Sequence, residues 1–366
     1  MDFCNLKKQH LSIKKEINSS IKKVVESGSF ILGKEVREFE KEAARYFKSK
    51  YAIAVASGTD ALVLSAMALG IKSGDEIICT PLTMIASLQC TLQLGAKPVF
   101  VDVDPKTYNI DTSKIEEKIT KKTKAIVAVH FYGNPVNMAR LMKIARKHKL
   151  RVIEDVAQAS GAYYRNKAVG TIGDMGCLSF FPTKNLGAYG DGGMILTNDR
   201  KTADMIYTLR VHGAREKYNH IIPGLNSRLD SLQAAILRTK LPYLKKWNQM
   251  RRKNAYQYNK AFKKNKDVVT PIEEREGYHV YHQYTLRVPR KRDELVAYLK
   301  KFDVPTMIYY PTPLHLQPVF EKFGYRKGEF PEAEKATNEI LSLPIYPELS
   351  LKEQNQIIEV LKNFFE

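Results

Sequence analysis

The chain has 366 residues, 44% hydrophobic and 27% charged, a balance that excludes a disordered polypeptide and suits one large or two medium domains. Its longest uncharged apolar stretch, about Ala61 to Ile71, is too short to span a bilayer, and lysine-rich Met1–Lys23 lacks the apolar core of a secretory signal. Lys and Arg number 59 against 39 Asp and Glu, a formal charge of +20, yet the lysines are spread over polar helix faces (Lys143, Lys147, Lys149) and not gathered into a nucleic-acid patch or tail. Four scattered cysteines, Cys4, Cys79, Cys90 and Cys177, have neither CxxC spacing nor a disulfide framework, which points to a reducing, cytoplasmic setting.

In chain order, Tyr51–Val55 reads as a strand and Ser57–Gly70 as a helix. Strand candidates Glu76–Thr80, Pro98–Asp102, Ala125–His130, Arg151–Asp155 and Met194–Thr197 then alternate with helix-length segments Met84–Leu94, Asp111–Ile119 and Met138–His148. Buried runs rich in Val and Ile, separated by helices, predict an α/β fold: a mainly parallel sheet with helices on both faces. Beyond Leu229 the pattern changes to a long helical region, Ser231–Lys264, broken at Pro242. A strand at Tyr281–Val288, a helix at Asp293–Phe302, a proline-rich loop through Pro311–Pro318 and a final helix at Leu351–Phe365 follow. The expected division is a large α/β domain over 1–245 and a smaller C-terminal α+β domain over 246–366.

Several common motifs fail. Gly28–Lys34 reads GSFILGK, but Glu35 stands where a phosphate loop needs Ser or Thr for magnesium, and no strand precedes it. No G-x-G-x-x-G opens a helix, no G-x-S-x-G elbow is present, and the eight histidines have no metal-ligand spacing.

Three features survive. Ser57-Gly58-Thr59-Asp60 follows a strand and opens a helix, whose free N–H groups and positive dipole end suit a phosphate. An ordinary N-cap by Ser57 or Thr59 reads the same way. Asp155 ends its strand at the edge where open α/β sheets bind ligands, with Gln158 three residues on. A buried carboxylate there could hold a protonated ring nitrogen, although taken by itself it reads first as an N-cap for the segment after it. Lys184 lies in SFFPTKNLG, followed by GDGG, amid aromatics, proline and glycines. A lysine so protected can lose its proton and attack a carbonyl. Phosphate anchor, ring-nitrogen partner and reactive lysine together describe a pyridoxal phosphate site.

At this point the chain resembles the sugar aminotransferases of the DegT/StrS family, within the fold-type I, aspartate-aminotransferase-like enzymes. The motifs GSFILGKEV, SGTDAL, GDEII, TPLTMIAS, DVAQASGA, SFFPTKNLGAYGDGG, GLNSRLDSLQAAIL and PLHLQP carry the resemblance nearly end to end. It implies that Lys184 joins the cofactor covalently and moves the proton, that Asp155 pairs with the ring nitrogen and that Gln158 approaches the ring hydroxyl. Gly58, Thr59 and Ser179 would hold the phosphate, with Asn226 reaching across from a second subunit of a homodimer. Ala157 would pack beneath the ring and Met84 over it, where family members usually carry an aromatic; a thioether also packs on a ring.

PTKNLGAYGDGG with NSRLDSLQAAIL resembles the members that aminate C3 of a nucleotide-linked keto sugar. The implied substrate is a dTDP-3-oxo-6-deoxyhexose, with L-glutamate the donor and the cofactor cycling through pyridoxamine 5'-phosphate. Tyr189, Lys217, Tyr218, His220, Arg228, Tyr309 and His315 are the substrate candidates, each of which surface or loop structure would also explain. The competing readings are amination at C4, a pyridoxal-phosphate-binding regulatory protein, and the dehydratase branch, which typically has histidine in place of Lys184.

Overall fold

The computed structural model describes residues 1–366. Three helices lead: α1 (Leu6–Ser12), α2 (Lys14–Ser27) and α3 (Lys34–Phe47). Then come β1 (Tyr51–Val55), α4 (Gly58–Ala68), β2 (Glu76–Cys79), α5 (Ala86–Leu94), β3 (Lys97–Phe100), β4 (Thr123–Val129), α6 (Met138–Lys147) and β5 (Arg151–Asp155). Short strands β6 (Tyr163–Tyr164) and β7 (Lys167–Ala168) precede β8 (Met175–Ser179), β9 (Gly193–Thr197), α7 (Arg200–Leu209) and the hairpin β10 (Ala214–Glu216) with β11 (Asn219–His220). The remainder is α8 (Ser231–Lys240), α9 (Leu244–Phe262), β12 (Gly277–Tyr278), β13 (Tyr284–Arg287), α10 (Arg292–Lys301), α11 (Pro331–Glu339), β14 (Ile340–Leu343) and α12 (Leu351–Phe365).

Seven strands form the central sheet in the order β1-β9-β8-β5-β4-β2-β3. Strands β3, β2, β4, β5 and β8 run parallel, and β9 lies antiparallel between β8 and β1. The two-residue side-chain period sorts each strand between two cores. Ile126 and Ala128 of β4 face α3, α6 and α8, whereas Ala125 and Val127 face α4, α5 and α7. Burial of each such Val or Ile stabilises by ~1.5–3 kcal/mol, so both sheet faces must be covered by helices.

A third core gathers Tyr258, Leu286, Leu299, Leu341 and Ile357 around the antiparallel pair β13/β14. Helix α9 joins the large body, built on the central sheet, to this second body: its Trp247 packs on Ile13 and Ile17 at the N-terminal helices, and its Phe262 lies in the third core. No helix is long and apolar enough to cross a membrane.

The chain breaks between α8 and α9 at a turn containing Pro242, as its missing N–H predicts. Two expected elements differ. Asp111–Ile119 is not a helix but a loop with one 3-10 turn at Glu116–Lys118. The Asp111 carboxylate accepts the Ser113 N–H at 2.9 Å, a local turn that competes with helix initiation. The strand expected from Tyr281 begins only at Tyr284, because the His282 N–H is spent on the Tyr132 carbonyl of the large body at 2.9 Å.

Candidate active site

The parallel arrangement brings several chain reversals to one sheet edge. Asp155 ends β5, Ser179 ends β8, Gly193 begins the opposed β9, and α4 starts just after β1. Two glycines let these backbones touch. A Cβ on Gly193 would lie 2.2 Å from the Ser57 carbonyl oxygen, and one on Gly58 would lie 2.6 Å from Ser179 Cβ. Above this floor is a cavity of about 410 Å³ whose lining includes Thr59, Asp155, Gln158, Lys184, His282 and Tyr310.

Helix α4 is capped by Ser57, whose Oγ accepts the Asp60 N–H at 3.0 Å. The Gly58 and Thr59 N–H groups have no partner within the helix and stand at the positive end of its dipole, which is a place for a phosphate. Asp155 is buried and oriented by two donors: Ser87 Oγ at 2.7 Å and the Ala157 N–H at 3.0 Å. Ser87 spends its one O–H on the Asp155 carboxylate, so in its contact with Thr83 Oγ1, 2.8 Å away, it accepts. Gln158 uses its Oε1 to accept the Tyr132 N–H at 2.7 Å, which leaves the amide NH₂ as its free group.

Lys184 follows a tight turn in which its own N–H donates to the Phe181 carbonyl at 2.8 Å. Burial of the surrounding walls pushes its ammonium down to about 8, and the Asp155 charge opposes that shift. The loop beyond it is anchored from behind, where buried Lys240 Nζ donates to the Gly187 carbonyl at 2.5 Å.

Pyridoxal phosphate fits this donor set: a helix N-terminus for its phosphate, a fixed carboxylate for a cationic ring nitrogen, an amide donor for a phenolic oxygen and an amine for its aldehyde. The comparisons with known proteins agree. Residues 11–362 match the profile of the DegT/DnrJ/EryC1/StrS aminotransferase family. The chain belongs to that family. It is accordingly a pyridoxal-phosphate-dependent sugar aminotransferase.

The chain is 48% identical over 363 residues to a "pleiotropic regulatory protein" of Geobacillus stearothermophilus, covering 99% of this chain and 97% of that one. It is 44% identical to the dTDP-3-amino-3,6-dideoxy-alpha-D-galactopyranose transaminase of Aneurinibacillus thermoaerophilus, covering 99% of each. It is 42% identical to the UDP-2-acetamido-2-deoxy-3-oxo-D-glucuronate aminotransferase of Pseudomonas aeruginosa, covering 99% of this chain and all (100%) of that one. The crystal structure of S. venezuelae DesV in complex with a ketimine intermediate superposes with a TM-score of 0.97 at 38% identity, covering 100% of this chain and 98% of that one.

Within this aminotransferase, Gly58, Thr59, Met84, Asp155, Ala157, Gln158, Ser179 and Lys184 all line the one cavity. Asn226 does not; it is exposed, and its backbone bridges to Val211. Of the substrate candidates only Tyr309 lines the cavity. Lys217, Tyr218 and His220 are exposed in and around the β10/β11 hairpin, and Arg228 is half-buried outside the lining. Tyr189 is held aside, its hydroxyl 2.8 Å from His10 Nδ1.

His315 lies outside this lining: its side chain is buried between Phe100 and Phe330, and Nε2 lies 3.0 Å from Glu334. The Leu314 N–H bonds to the Pro81 carbonyl at 2.8 Å, which closes this loop on the large body and turns the histidine inward. Sequence reading missed Ser87, Thr83, His282, Gln283 and Tyr310. Ser87 lies within TPLTMIAS, a motif whose hydroxyls were the available signal. Thr83 lies in the same motif, whereas His282, Gln283 and Tyr310 come from segments brought in by the second body, and nothing local marks them.

Proposed function

We propose that this aminotransferase moves an amino group from L-glutamate to C3 of a dTDP-3-oxo-6-deoxyhexose, giving a dTDP-3-amino-3,6-dideoxyhexose. The observation that carries the reading is the convergence of Lys184, Asp155, Gln158 and the α4 N-terminus on one cavity. Bound pyridoxal phosphate would supply an electron-withdrawing ring that makes a proton on the amine-bearing carbon removable. Lys184 Nζ, with its ammonium pushed down to about 8, is poised both to take that proton and to return it near neutral pH. Asp155, aimed by Ser87 and Ala157, would hold the ring nitrogen. Gly58, Thr59 and Ser179 bind the phosphate, Ala157 and Met84 flank the ring, and Asn226 of a second copy completes the phosphate site.

Amination at C3 is supported by the 44% identical relative, named for a dTDP-3-amino sugar, and by the 42% identical one, named for a 3-oxo sugar. The latter makes a UDP-linked 3-oxo uronate the second substrate to try. The scattered positive charge, +20 overall, favours encounter with either anionic nucleotide sugar. The test supplies glutamate-charged protein with a dTDP-3-oxo-6-deoxyhexose, a dTDP-4-keto-6-deoxyhexose and the UDP-linked 3-oxo uronate. The expected product is aminated at C3 of the dTDP sugar, read by NMR. A C4 amine, or turnover of the UDP sugar alone, contradicts the proposal.

A further inference from the structure

The cavity wall holds an ionisable group to which the reading above gives no role. His282, from the loop before β13, is buried and lines the cavity with Lys184. Its Nδ1 lies 3.0 Å from Asn185 Oδ1, the residue next to the reactive lysine. An imidazole beside an amide is ambiguous until the amide's orientation is known. Here two backbone carbonyls settle it.

Asn248 of α9 donates its Nδ2 to the Ser160 carbonyl at 3.0 Å, so its Oδ1 is the acceptor. Into that oxygen Asn185 donates its Nδ2 at 2.7 Å, and the same Nδ2 reaches the Val280 carbonyl at 3.2 Å. Asn185 Oδ1 is therefore an acceptor, and His282 Nδ1 must carry the proton. The remaining nitrogen, Nε2, is then a bare lone pair with no partner in the chain. The backbone fixes the ring's place as well, through His282 N–H to the Tyr132 carbonyl at 2.9 Å and Val280 N–H to the Gly133 carbonyl at 3.0 Å.

The charged surroundings keep the ring neutral. Arg251 Nη1 donates to the His282 carbonyl at 3.2 Å, and Lys184, Asp155 and Tyr310 line the same cavity as the ring. Burial, then the Lys184 charge, then Arg251 all push His282 well below its usual range. Nδ1 stays a donor to Asn185 and Nε2 a fixed acceptor.

We propose that His282 is a positioning residue for Lys184: when the lysine amine is free, Nε2 accepts one of its N–H bonds and turns the nitrogen lone pair toward the reacting carbon. The proposal rests on the reading of Lys184 as the reactive amine. No proton changes owner in this contact. The lysine side chain has four flexible carbons and arrives entropically costly to orient, so one fixed acceptor shortens its search. Asn185 and Asn248 thereby act at one remove, by choosing the tautomer.

Two measurements test this. The first uses protein carrying ¹⁵N-histidine, with the His282 signals identified by their absence in His282→Gln. The expected long-range ¹H–¹⁵N spectrum shows a protonated Nδ1 and an unprotonated Nε2, unchanged between about pH 5.5 and 8. An Nε2–H tautomer, or a titration near the ordinary histidine range, overturns the proposal without any variant having to fold.

The second follows the rate at which the full chain, freed of cofactor, captures added pyridoxal phosphate, read by the visible band of the lysine adduct. His282→Leu is expected to slow capture on the order of ten- to a hundredfold while the final band reaches wild-type height. His282→Gln, which keeps an acceptor oxygen, is expected to recover part of the rate. A merely structural role would lower band height and stability together and leave the rate of the folded fraction alone, and that result overturns the proposal. So does an unchanged rate accompanied by a raised KM for the sugar, which would make Nε2 a substrate contact. A wild type that captures no pyridoxal phosphate overturns the reading of Lys184 and this role with it; the tautomer spectrum, which needs no cofactor, tells the two failures apart.

Discussion

Lys184 begins the loop that Lys240 anchors at the Gly187 carbonyl, and burial pushes both ammoniums down to about 8. Their surroundings differ in what they leave free. Lys240 is sealed in, with Nζ on the Gly187 carbonyl at 2.5 Å and the rings of Tyr189 and Trp247 at 5.1 and 5.8 Å. Lys184 opens onto a 410 Å³ cavity with Asp155 and Gln158 on the same wall. A lowered pKa is thus common to a clamp and a candidate reactive amine, and the geometry around each one decides which it is.

The largest effect that would break this comparison is on chemistry. Lys184→Ala is expected to lower aminotransfer by roughly 10⁴-fold or more. Its urea midpoint should be unchanged or higher, because a desolvated ammonium has been removed. A variant that keeps substantial turnover would make Lys184 a bystander.

Lys240→Met should do the reverse. It should retain the visible cofactor band and its response to glutamate, but leave the Gly187 carbonyl without a donor, a penalty of about 1–3 kcal/mol. The pH dependence has a definite sign. The folded state lowers Lys240 from 10.5 to about 8, so between those values the unfolded chain binds more protons and folding stability rises with pH. Wild type should therefore gain on Lys240→Met by about 1 kcal/mol per pH unit from pH 8 to about 9.5, measured by urea unfolding. A flat difference would mean that Lys240 is not desolvated.

Smaller changes sharpen the Lys184 side. Ser87→Ala removes the 2.7 Å donor to Asp155 and should weaken pyridoxal phosphate affinity roughly tenfold, by equilibrium titration. Undiminished affinity would show that Ala157 alone orients the carboxylate. Asn226→Ala should weaken cofactor retention by a few fold while the protomer stays folded. No change in affinity would remove Asn226 from the phosphate site.

The two sides of the comparison were unequally legible in the sequence. Lys184, Asp155 and the SGTD turn stand at the ends of apolar runs, where strand period and chain reversal mark the sheet edge. The parallel sheet and its helices on both faces follow from those same runs. Lys240 looks like any helical lysine, since its burial arises only when α8 packs behind the Gly187 loop. His282 and Gln283 were hidden for a related reason: the expected strand Tyr281–Val288 gave them alternating faces, whereas backbone bonds to Tyr132 hold them at the cavity. Asp111–Ile119 misled because helix length and two isoleucines outweighed an Asp-Thr-Ser opening that favours a turn. The burial of His315 was hidden too, because a histidine in a proline-rich loop reads as exposed, and only the Pro81 contact turns it inward.

The most direct test is the visible absorption spectrum of the protein with pyridoxal phosphate, before and after L-glutamate, beside Lys184→Ala. The account predicts a yellow lysine-adduct band that glutamate bleaches to the pyridoxamine form, and no such band in the variant. The same band in Lys184→Ala, or a wild-type band indifferent to every amino donor, would contradict it.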